Sequence, residues 1–324
     1  MKLWEYMVRY DYEQLVLCHD SGTGLRAAIA IHDTTLGPAL GGVRMWPYAT
    51  EEDALMDVLR LARGMTYKAA VAGLDLGGGK AVIIGDPLHD KTEAMFRSLG
   101  RFVESLGGRY VATEDVGTTM RDMEYISTET SHVTGLPVSL GGSGDPSPIT
   151  ALGVHEAMKA CAVEAFDSDS LKGKTVALQG VGKVGSCLAE LLHKDGAKLI
   201  VADMNADRAQ RAKKEFGAEV VAAQDIYDVE CDIFSPCALG ATLSHQTIPR
   251  LHCRIVCGGA NNQLEEEEDS FRLERKRILY APDYVVNGGG IINLAREFAG
   301  YQEDVARERT LAIYQTMQRV FARA

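Results

Sequence analysis

The chain has 324 residues, enough for two domains of ordinary size, and it is 46% hydrophobic and 24% charged, which is typical of a soluble globular protein. Its formal net charge is −11 and it has no basic patch with interleaved aromatic residues, so nucleic acid is not expected as a partner. No apolar run reaches the length of a membrane span, and the first residues lack the apolar core of a signal peptide. We therefore expect a cytoplasmic protein with no membrane partner.

The seven cysteines favour the same compartment. Their number is odd and they are scattered through apolar contexts, which indicates reduced and mostly buried thiols. Cys253 and Cys257 lie four residues apart, but no further cysteine or histidine stands at zinc-binding spacing. We therefore expect no metal.

Strands and helices alternate in the first part of the chain. The helix at residues 51–63 is predicted from apolar residues at helical spacing, and Thr50 is placed to cap its start. The predicted elements are a strand at residues 25–31, a helix at 51–63, a strand at 82–84, a helix at 92–106 and a strand at 110–112. The turn-rich segment 140–148 predicts a domain boundary, so residues 1–145 are expected to form an α/β domain.

A glycine-rich segment that ends in a lysine stands out in this domain. Gly77, Gly78 and Gly79 lead into Lys80, and an apolar β-branched run follows. Glycines let a substrate approach the backbone closely, and shielding from water favours the neutral form of an amine. Lys68 lies twelve residues upstream. Two ammonium groups in one pocket repel each other, so one lysine can hold a carboxylate while the other acts as a general base.

A dinucleotide-binding fingerprint follows in the second half. A strand at residues 174–179 leads into the glycine turn 180–185, a helix and a second strand at 198–202, which ends in Asp203. Backbone N–H groups at the start of such a helix bind a pyrophosphate, and the acid binds both ribose hydroxyls. A carboxylate repels the 2′-phosphate of NADP, and the nearest cation is Arg208. The pattern therefore predicts NAD as the cofactor.

The remaining pattern predicts the fold class. A long helix is expected from Ile149 to Ala165, and strands and helices then alternate to about residue 285, which predicts a Rossmann-type doubly wound parallel sheet over residues 146–290. Residues 287–290 are a hinge candidate. We expect residues 291–324 to be helical and to fold back on the first domain, with the active site in a cleft between the two domains.

Eight segments together resemble one known family. These segments are residues 35–42, 64–68, 77–80, 114–117, 180–185, 235–240, 259–263 and 281–284. In this order they resemble the amino-acid dehydrogenase family of glutamate, leucine, valine and phenylalanine dehydrogenases, and most closely its leucine dehydrogenase branch. The resemblance covers nearly the whole chain and implies reversible, NAD-dependent oxidative deamination of an L-amino acid to its 2-oxo acid and ammonia.

The resemblance also implies roles for individual residues. Lys68 would hold the substrate carboxylate, Lys80 would be the general base that activates water, and Asp115 would bind the amino group and relay protons. The substrate pocket would be lined by Leu40, Gly41, Met65, Thr113, Ile291 and Leu294. The cofactor would be bound by Gly180, Val181, Gly182, Lys183, Val184, Gly185 and Asp203, with Cys237, Ala238, Asn261 and Asn262 beside it.

The polarity and size of the residues expected to line the pocket predict the substrate class. Glutamate-specific members carry a lysine near position 40, where this chain has Leu40, and Ile291 and Leu294 are also apolar. A charged substrate side chain would have no partner there, which is costly. Thr113 and Ile291 are β-branched and should narrow the pocket, which favours aliphatic over aromatic substrates. Thr113 replaces the small residue expected in leucine enzymes.

Two alternatives to a branched-chain amino-acid dehydrogenase stay open. One is an aromatic enzyme that acts on phenylalanine or tryptophan, and the other is an inactive NAD-binding homologue. The presence of Lys68, Lys80 and Asp115 argues against the inactive form. In either active form the partners are small molecules. The resemblance implies a homo-oligomer, a dimer or larger, with residues 1–145 as the substrate and oligomerisation domain.

Overall fold

The chain divides into two compact units. The structure, a computed structural model, describes residues 2–238 and 240–323. The first unit comprises Met1–Asp145 and Leu294–Tyr301, and the second comprises Pro146–Asn293 and Gln302–Ala324. The chain therefore passes from one unit to the other at three places.

The first unit is built on a five-stranded mixed sheet. Its strands are β1 (Gln14–Asp20), β2 (Leu25–Asp33), β3 (Ala39–Trp46), β4 (Gly77–Ile84) and β5 (Tyr110–Glu114), in the order β1-β2-β4-β3-β5. β2 pairs antiparallel with β1 and β4, whereas β3 pairs parallel with β4 and β5. The helices of this unit are α1 (Leu3–Tyr10), α2 (Glu51–Val71), α3 (Glu93–Ser105) and α4 (Met120–Ser127).

Helices cover both faces of this sheet. Alternate residues of β2 point to opposite faces, so Ile29 and Ile31 join one apolar cluster and Ala28 and Ala30 join another. The first cluster contains side chains of α3 and α4, and the second contains side chains of α1 and α2. Small alanines on the second face allow α2 to lie close against the sheet.

Two helix starts follow the expected chemistry. The Thr50 side chain accepts a hydrogen bond from the Asp53 N–H at the start of α2, and Thr92 accepts one from the Met95 N–H at the start of α3. The predicted strand at residues 82–84 is longer in the structure, because β4 already begins at Gly77. At Gly78 a Cβ atom would lie 2.1 Å from the Thr66 nitrogen of α2, so the glycine run belongs to a strand on which a helix packs closely.

The second unit contains a six-stranded, all-parallel sheet. Its strands are β6 (Thr175–Gln179), β7 (Lys198–Ala202), β8 (Glu219–Val220), β9 (Ile233–Pro236), β10 (Ile255–Val256) and β11 (Leu279–Tyr280). The order β11-β10-β9-β6-β7-β8 is that of a Rossmann-type doubly wound sheet, with the reversal between β6 and β9. The predicted fold class is confirmed for both units. The helices that accompany this sheet are α5 (Ser147–Phe166), α6 (Lys183–Lys194), α7 (Ala206–Phe216), α8 (Glu268–Arg275) and α9 (Asp283–Val286).

The C-terminal segment differs from the expectation. It consists of α10 (Gly289–Ala295), a 3-10 turn at Arg296–Ala299, α11 (Glu303–Leu311) and α12 (Ile313–Phe321). Only Leu294–Tyr301 belongs to the first unit, and α11 and α12 pack on α5 in the second unit. A Cβ atom at Gly153 would lie 2.8 Å from Ile313 Cδ1, so a glycine on α5 makes the room that α12 fills. The expectation that all of residues 291–324 fold back on the first domain was wrong.

All seven cysteines are free thiols, three of them buried and four partly exposed. Within the described residues, none of the helices is long and apolar enough to cross a membrane.

Candidate active site

A buried lysine–carboxylate pair lies at the centre of the first unit. Lys80, on β4, is only 5% exposed, and its Nζ lies 2.7 Å from Oδ2 of Asp115, which directly follows β5. The strand between them is β3. A Cβ atom on its Gly42 would lie 2.6 Å from Asp115 Cβ and 3.1 Å from Lys80 Nζ. The absence of a side chain at position 42 is what lets the two groups meet.

Arg44 is a third charged group of this site, and sequence reasoning missed it. Its Nε lies 3.0 Å from the same Oδ2 of Asp115, and its Nη1 lies 2.9 Å from Asp57 Oδ2 on α2. Burial raises the pKa of Asp115, but Lys80 and Arg44 more than offset this, and its pKa falls to about 2. Asp115 is therefore an anion at neutral pH. A lone arginine two residues after Gly42 gives no signal of such a role in the sequence.

Lys68 and Met65 lie on α2, and both are partly buried. Thr66 lies two residues before Lys68, and Gly78 lies two residues before Lys80. The close approach of Thr66 to Gly78 packs α2 against β4. The structure thus places the helix that carries Lys68 directly on the strand that carries Lys80.

The residues expected to line the substrate pocket fall into two groups. Leu40 and Gly41 on β3 and Thr113 on β5 are buried in the sheet of the first unit, where Gly41 pairs with Ala112 and Gly42 with Thr113. At Gly135 a Cβ atom would lie 2.9 Å from Thr113 Oγ1 and 3.6 Å from Leu294 Cδ2, so Thr113 and Leu294 are brought together. Ile291 is buried on α10 and belongs to the second unit.

A carboxylate holds the Leu294 segment in the first unit. Glu297 accepts hydrogen bonds from the Gly135 N–H at 3.0 Å, from the Ser143 N–H at 2.9 Å and from the Ser143 hydroxyl. These three donors lie on a segment that precedes Leu294 in sequence by about 150 residues, which is why sequence reasoning missed Glu297.

The glycine turn of the second unit has the geometry of a dinucleotide site. Gly180 has φ +94°, and its missing Cβ lets it approach Ala238, while a Cβ atom at Gly185 would lie 2.1 Å from the Gly180 carbonyl oxygen and 3.6 Å from Cys237 Cβ. No side chain caps the start of α6 at Gly182. Its first N–H groups can therefore bind a pyrophosphate. This cradle fits NAD.

Asp203 lies at the end of β7 beside this turn. Its Oδ2 accepts a hydrogen bond of 2.8 Å from the Val181 N–H, and its Oδ1 accepts one of 2.8 Å from the Asn205 N–H. The carboxylate is thereby fixed next to the turn, as an acid that binds ribose hydroxyls must be. Arg208 Nη1 lies 3.8 Å from the position that a Gly182 Cβ would take, so this cation also faces the turn.

The remaining residues expected near the cofactor lie at the same edge of the sheet. Ser235 and Cys237 belong to or follow β9, and the Gly259 N–H donates to Cys237 Sγ at 3.3 Å. Asn261 accepts a 2.7 Å hydrogen bond from Asn287 Nδ2, and the exposed Asn262 has φ +50°. Lys183 is exposed, and Val184 Cγ1 would lie 3.0 Å from a Cβ on Gly259. Sequence reasoning treated position 287 as a hinge and missed its contact with Asn261.

In the described part of the chain, three or more histidine, cysteine or acidic residues are nowhere grouped so that they could hold a metal ion.

The family follows from comparison with known proteins. Residues 13–132 match the model of the Glu/Leu/Phe/Val dehydrogenase dimerisation domain, and residues 141–207 and 201–321 match the model described as glutamate/leucine/phenylalanine/valine dehydrogenase. The chain belongs to the Glu/Leu/Phe/Val dehydrogenase family. The predicted resemblance is thereby confirmed, and the chain is an amino-acid dehydrogenase of the oxidoreductase class.

Three relatives in this family show where the chain lies within it. A leucine dehydrogenase of Thermoactinomyces intermedius is 60% identical over 99% of this chain and 88% of its own length. A phenylalanine dehydrogenase of Lysinibacillus sphaericus is 50% identical over 97% of this chain and 84% of its own length. The crystal structure of L-tryptophan dehydrogenase from Nostoc punctiforme is 46% identical, with a TM-score of 0.85, and covers 99% of this chain and 92% of its own.

Proposed function

We propose that this dehydrogenase catalyses the reversible, NAD-dependent oxidative deamination of branched-chain L-amino acids to their 2-oxo acids and ammonia. The proposal is carried by the 2.7 Å contact between Lys80 Nζ and Asp115 Oδ2, beside a strand that has no side chain at position 42. The site brings an amine and a carboxylate together at one place. The 56–60% identity to leucine dehydrogenases supports the substrate class.

Lys68, Asp115 and Lys80 each have a separate role in the deamination. Lys68 binds the substrate carboxylate, and Asp115, an anion at neutral pH, accepts a hydrogen bond from the substrate amino group. The hydride acceptor for the substrate Cα would be supplied by bound NAD. Lys80 then removes a proton from the water that attacks the imino carbon, and its contact with Asp115 allows the proton to be shared.

The cofactor assignment rests on the turn of the second unit. The uncapped start of α6 binds the pyrophosphate, and Asp203 binds the ribose hydroxyls, which disfavours NADP. Asn261 and Asn262 would contact the nicotinamide, and Cys237 and Ala238 would contact the rest of the cofactor. These residues support a proposed division in which residues 146–290 bind NAD and residues 1–145 bind the amino acid.

Apolar side chains in the pocket support an aliphatic substrate. In the first unit Leu40 is buried, and Leu294 lies beside Thr113 at Gly135. A charged substrate side chain would have no partner among these groups. The match of residues 13–132 to a dimerisation domain supports a homo-oligomer.

The test is NADH formation across a panel of L-amino acids, with NADP in a parallel series. We expect the highest kcat/KM with leucine, isoleucine or valine and with NAD. A higher kcat/KM with phenylalanine or tryptophan would replace the proposal by the aromatic alternative. No NADH with any amino acid, in a protein that binds NAD, would leave the inactive homologue. Light scattering of the same preparation tests the oligomer.

A further inference from the structure

Arg44 joins the buried lysine–carboxylate pair to Asp57 on α2. It lies on β3, between the strands that carry Lys80 and Asp115, and its side chain is 20% exposed. The guanidinium bridges two carboxylates, with Nε 3.0 Å from Asp115 Oδ2 and Nη1 2.9 Å from Asp57 Oδ2. The planar fork of arginine allows one side chain to bind both acids, which the single ammonium of lysine does less well.

Arg44 and Lys80 bind the same oxygen of Asp115. Lys80 Nζ lies 2.7 Å from Oδ2 and Arg44 Nε lies 3.0 Å from it. Two cations on one oxygen fix the rotation of the carboxylate, so that its orientation toward Lys80 does not depend on the lysine alone. Burial lowers the pKa of Arg44, but Asp115 and Asp57 more than offset this, and the guanidinium stays charged.

Asp57 extends the connection to α2. Tyr48 Oη donates a 2.6 Å hydrogen bond to the same Asp57 oxygen that Arg44 binds. Asp57 and Lys68 are eleven residues apart on α2, which is about three helical turns, so they project from the same face of the helix. The contact at Asp57 therefore fixes the rotation of the helix face that carries Lys68.

We propose that Arg44 is a positioning residue that sets the orientation of Asp115 toward Lys80 and, through Asp57, the rotation of the helix that carries Lys68. This inference rests on the proposed function, since it assigns Arg44 a part in amino-acid deamination. Removal of Arg44 leaves Asp57 without the guanidinium that it binds and leaves Asp115 in contact with Lys80 alone.

The experiment compares Arg44→Lys, Arg44→Met and Asp57→Asn with the unmodified enzyme. Arg26, an exposed arginine on β2 of the same sheet, supplies the matched control Arg26→Met. We expect Arg44→Lys to lower kcat about 10- to 100-fold, because a displacement of about 1 Å of a reacting group has this effect. Asp57→Asn should mainly raise KM for the amino acid, because it leaves the contact with Asp115 and loosens the helix of Lys68.

The pH profile separates a positioning role from a purely structural one. In Arg44→Met a positive charge beside the Lys80 amine is lost, so the rise of the deamination rate with pH should move to higher pH. Arg44→Lys keeps the charge and should keep the profile. The other titratable groups around the cluster, Tyr48, Tyr110 and Asp57, are present in both variants.

Chemical rescue tests the role of the guanidinium group even if an Arg44 variant folds poorly. Arg44→Ala should regain part of its kcat with guanidinium ion at non-denaturing concentration, and the same concentration of ammonium should be less effective. The inference is wrong if the unmodified enzyme oxidises amino acids and the Arg44 variants match Arg26→Met in kcat, KM and pH profile. It is also wrong if guanidinium restores nothing. An unmodified enzyme without activity on any amino acid would instead contradict the proposed function.

Discussion

At the residue scale, the buried pair depends on one missing side chain. Gly42 leaves the space in which Lys80 and Asp115 meet, since a Cβ there would lie 2.6 Å from Asp115 Cβ. Gly42→Ala should therefore reduce kcat/KM for the amino acid strongly and leave the affinity for NAD unchanged. Gly64→Ala is the matched control, because a Cβ at Gly64 meets nothing within 4 Å. Equal loss of activity in both variants would mean that the close approach at position 42 is not the cause.

Lys80 itself is expected to be indispensable for turnover. Lys80→Ala removes the proposed general base, whose loss costs about 100- to 10,000-fold in rate. NAD binding, followed by calorimetry, should stay the same, because the glycine turn lies in the other unit. Lys172→Ala, at an exposed position, controls for the loss of a lysine. Turnover close to that of the control would exclude Lys80 as the base.

Asp203 should set the choice between NAD and NADP. Its carboxylate is fixed by the Val181 and Asn205 N–H groups, and Arg208 already faces the turn. Asp203→Ser removes the negative charge that repels the 2′-phosphate, so the ratio of kcat/KM for NAD to that for NADP should fall at least tenfold. Arg208→Ala in addition should reverse part of the gain with NADP. An unchanged ratio in Asp203→Ser would exclude the acid as the determinant.

How far the sequence predicts the site differs from residue to residue. Lys80 and Asp203 follow local patterns, a glycine run before a strand and an acid after one, so both could be identified without a structure. The contact of Asp115 with Lys80 depends on the register of β3 between β4 and β5, which local patterns do not determine. Arg44 has no local signal at all, because its partners come from α2 and from the end of β5.

At the element scale, Glu297 should control the substrate pocket. Glu297→Gln keeps the size of the side chain but replaces one acceptor oxygen by a donor, which weakens the contacts with Gly135 and Ser143. We expect KM for the amino acid to rise about tenfold, corresponding to about 1.4 kcal/mol. The exposed Glu308→Gln is the control. A KM equal to that of the control would show that this carboxylate does not hold Leu294 in place.

His155 should make the second unit more stable in mild acid. Burial lowers its pKa, but the carboxylates of Glu156 and Asp195 more than offset this, and the pKa is raised. Its Nε2 lies 2.7 Å from Asp195 Oδ2 at the end of α6. A raised pKa means that this stabilisation is complete below the unfolded value of about 6.5 and disappears as the pH rises through the folded value.

His155→Gln should therefore lower the free energy of unfolding by about 1 kcal/mol at mildly acidic pH, because a charged hydrogen bond to a partly exposed carboxylate is lost. The difference should shrink at alkaline pH. Urea unfolding at several pH values measures it, with the exposed His252→Gln as control. A difference that stays constant with pH would show that the charge of His155 does not contribute.

Some elements follow from local patterns and others do not. The predicted cap at Thr50 locates the start of α2, because a threonine before an amphipathic run is a local signal. β3 was missed, since two glycines at its centre are typical of a turn. Only the groups packed against Gly41 and Gly42 show why glycines suit this strand. The last helices were assigned to the wrong unit, because a helical pattern does not say on which surface its apolar side packs.

At the scale of the whole molecule, the two units differ in how their residues are distributed along the chain. The second is almost continuous, whereas the first needs Leu294–Tyr301 in addition to Met1–Asp145. Glu297 binds backbone and side-chain groups of Gly135 and Ser143 inside that first unit. The segment that carries Leu294 is therefore an integral part of the first unit. In sequence, the whole parallel sheet of the second unit lies between this segment and the rest of the first unit.

This arrangement has a consequence for the order in which the protein forms during synthesis. All five strands of the first sheet lie within residues 14–114, so a ribosome-bound nascent chain can complete that sheet early. The contacts of Glu297 form only after about 180 further residues have emerged. The closing of so long a loop is slow, so the substrate pocket should be among the last parts of the newly made enzyme to mature.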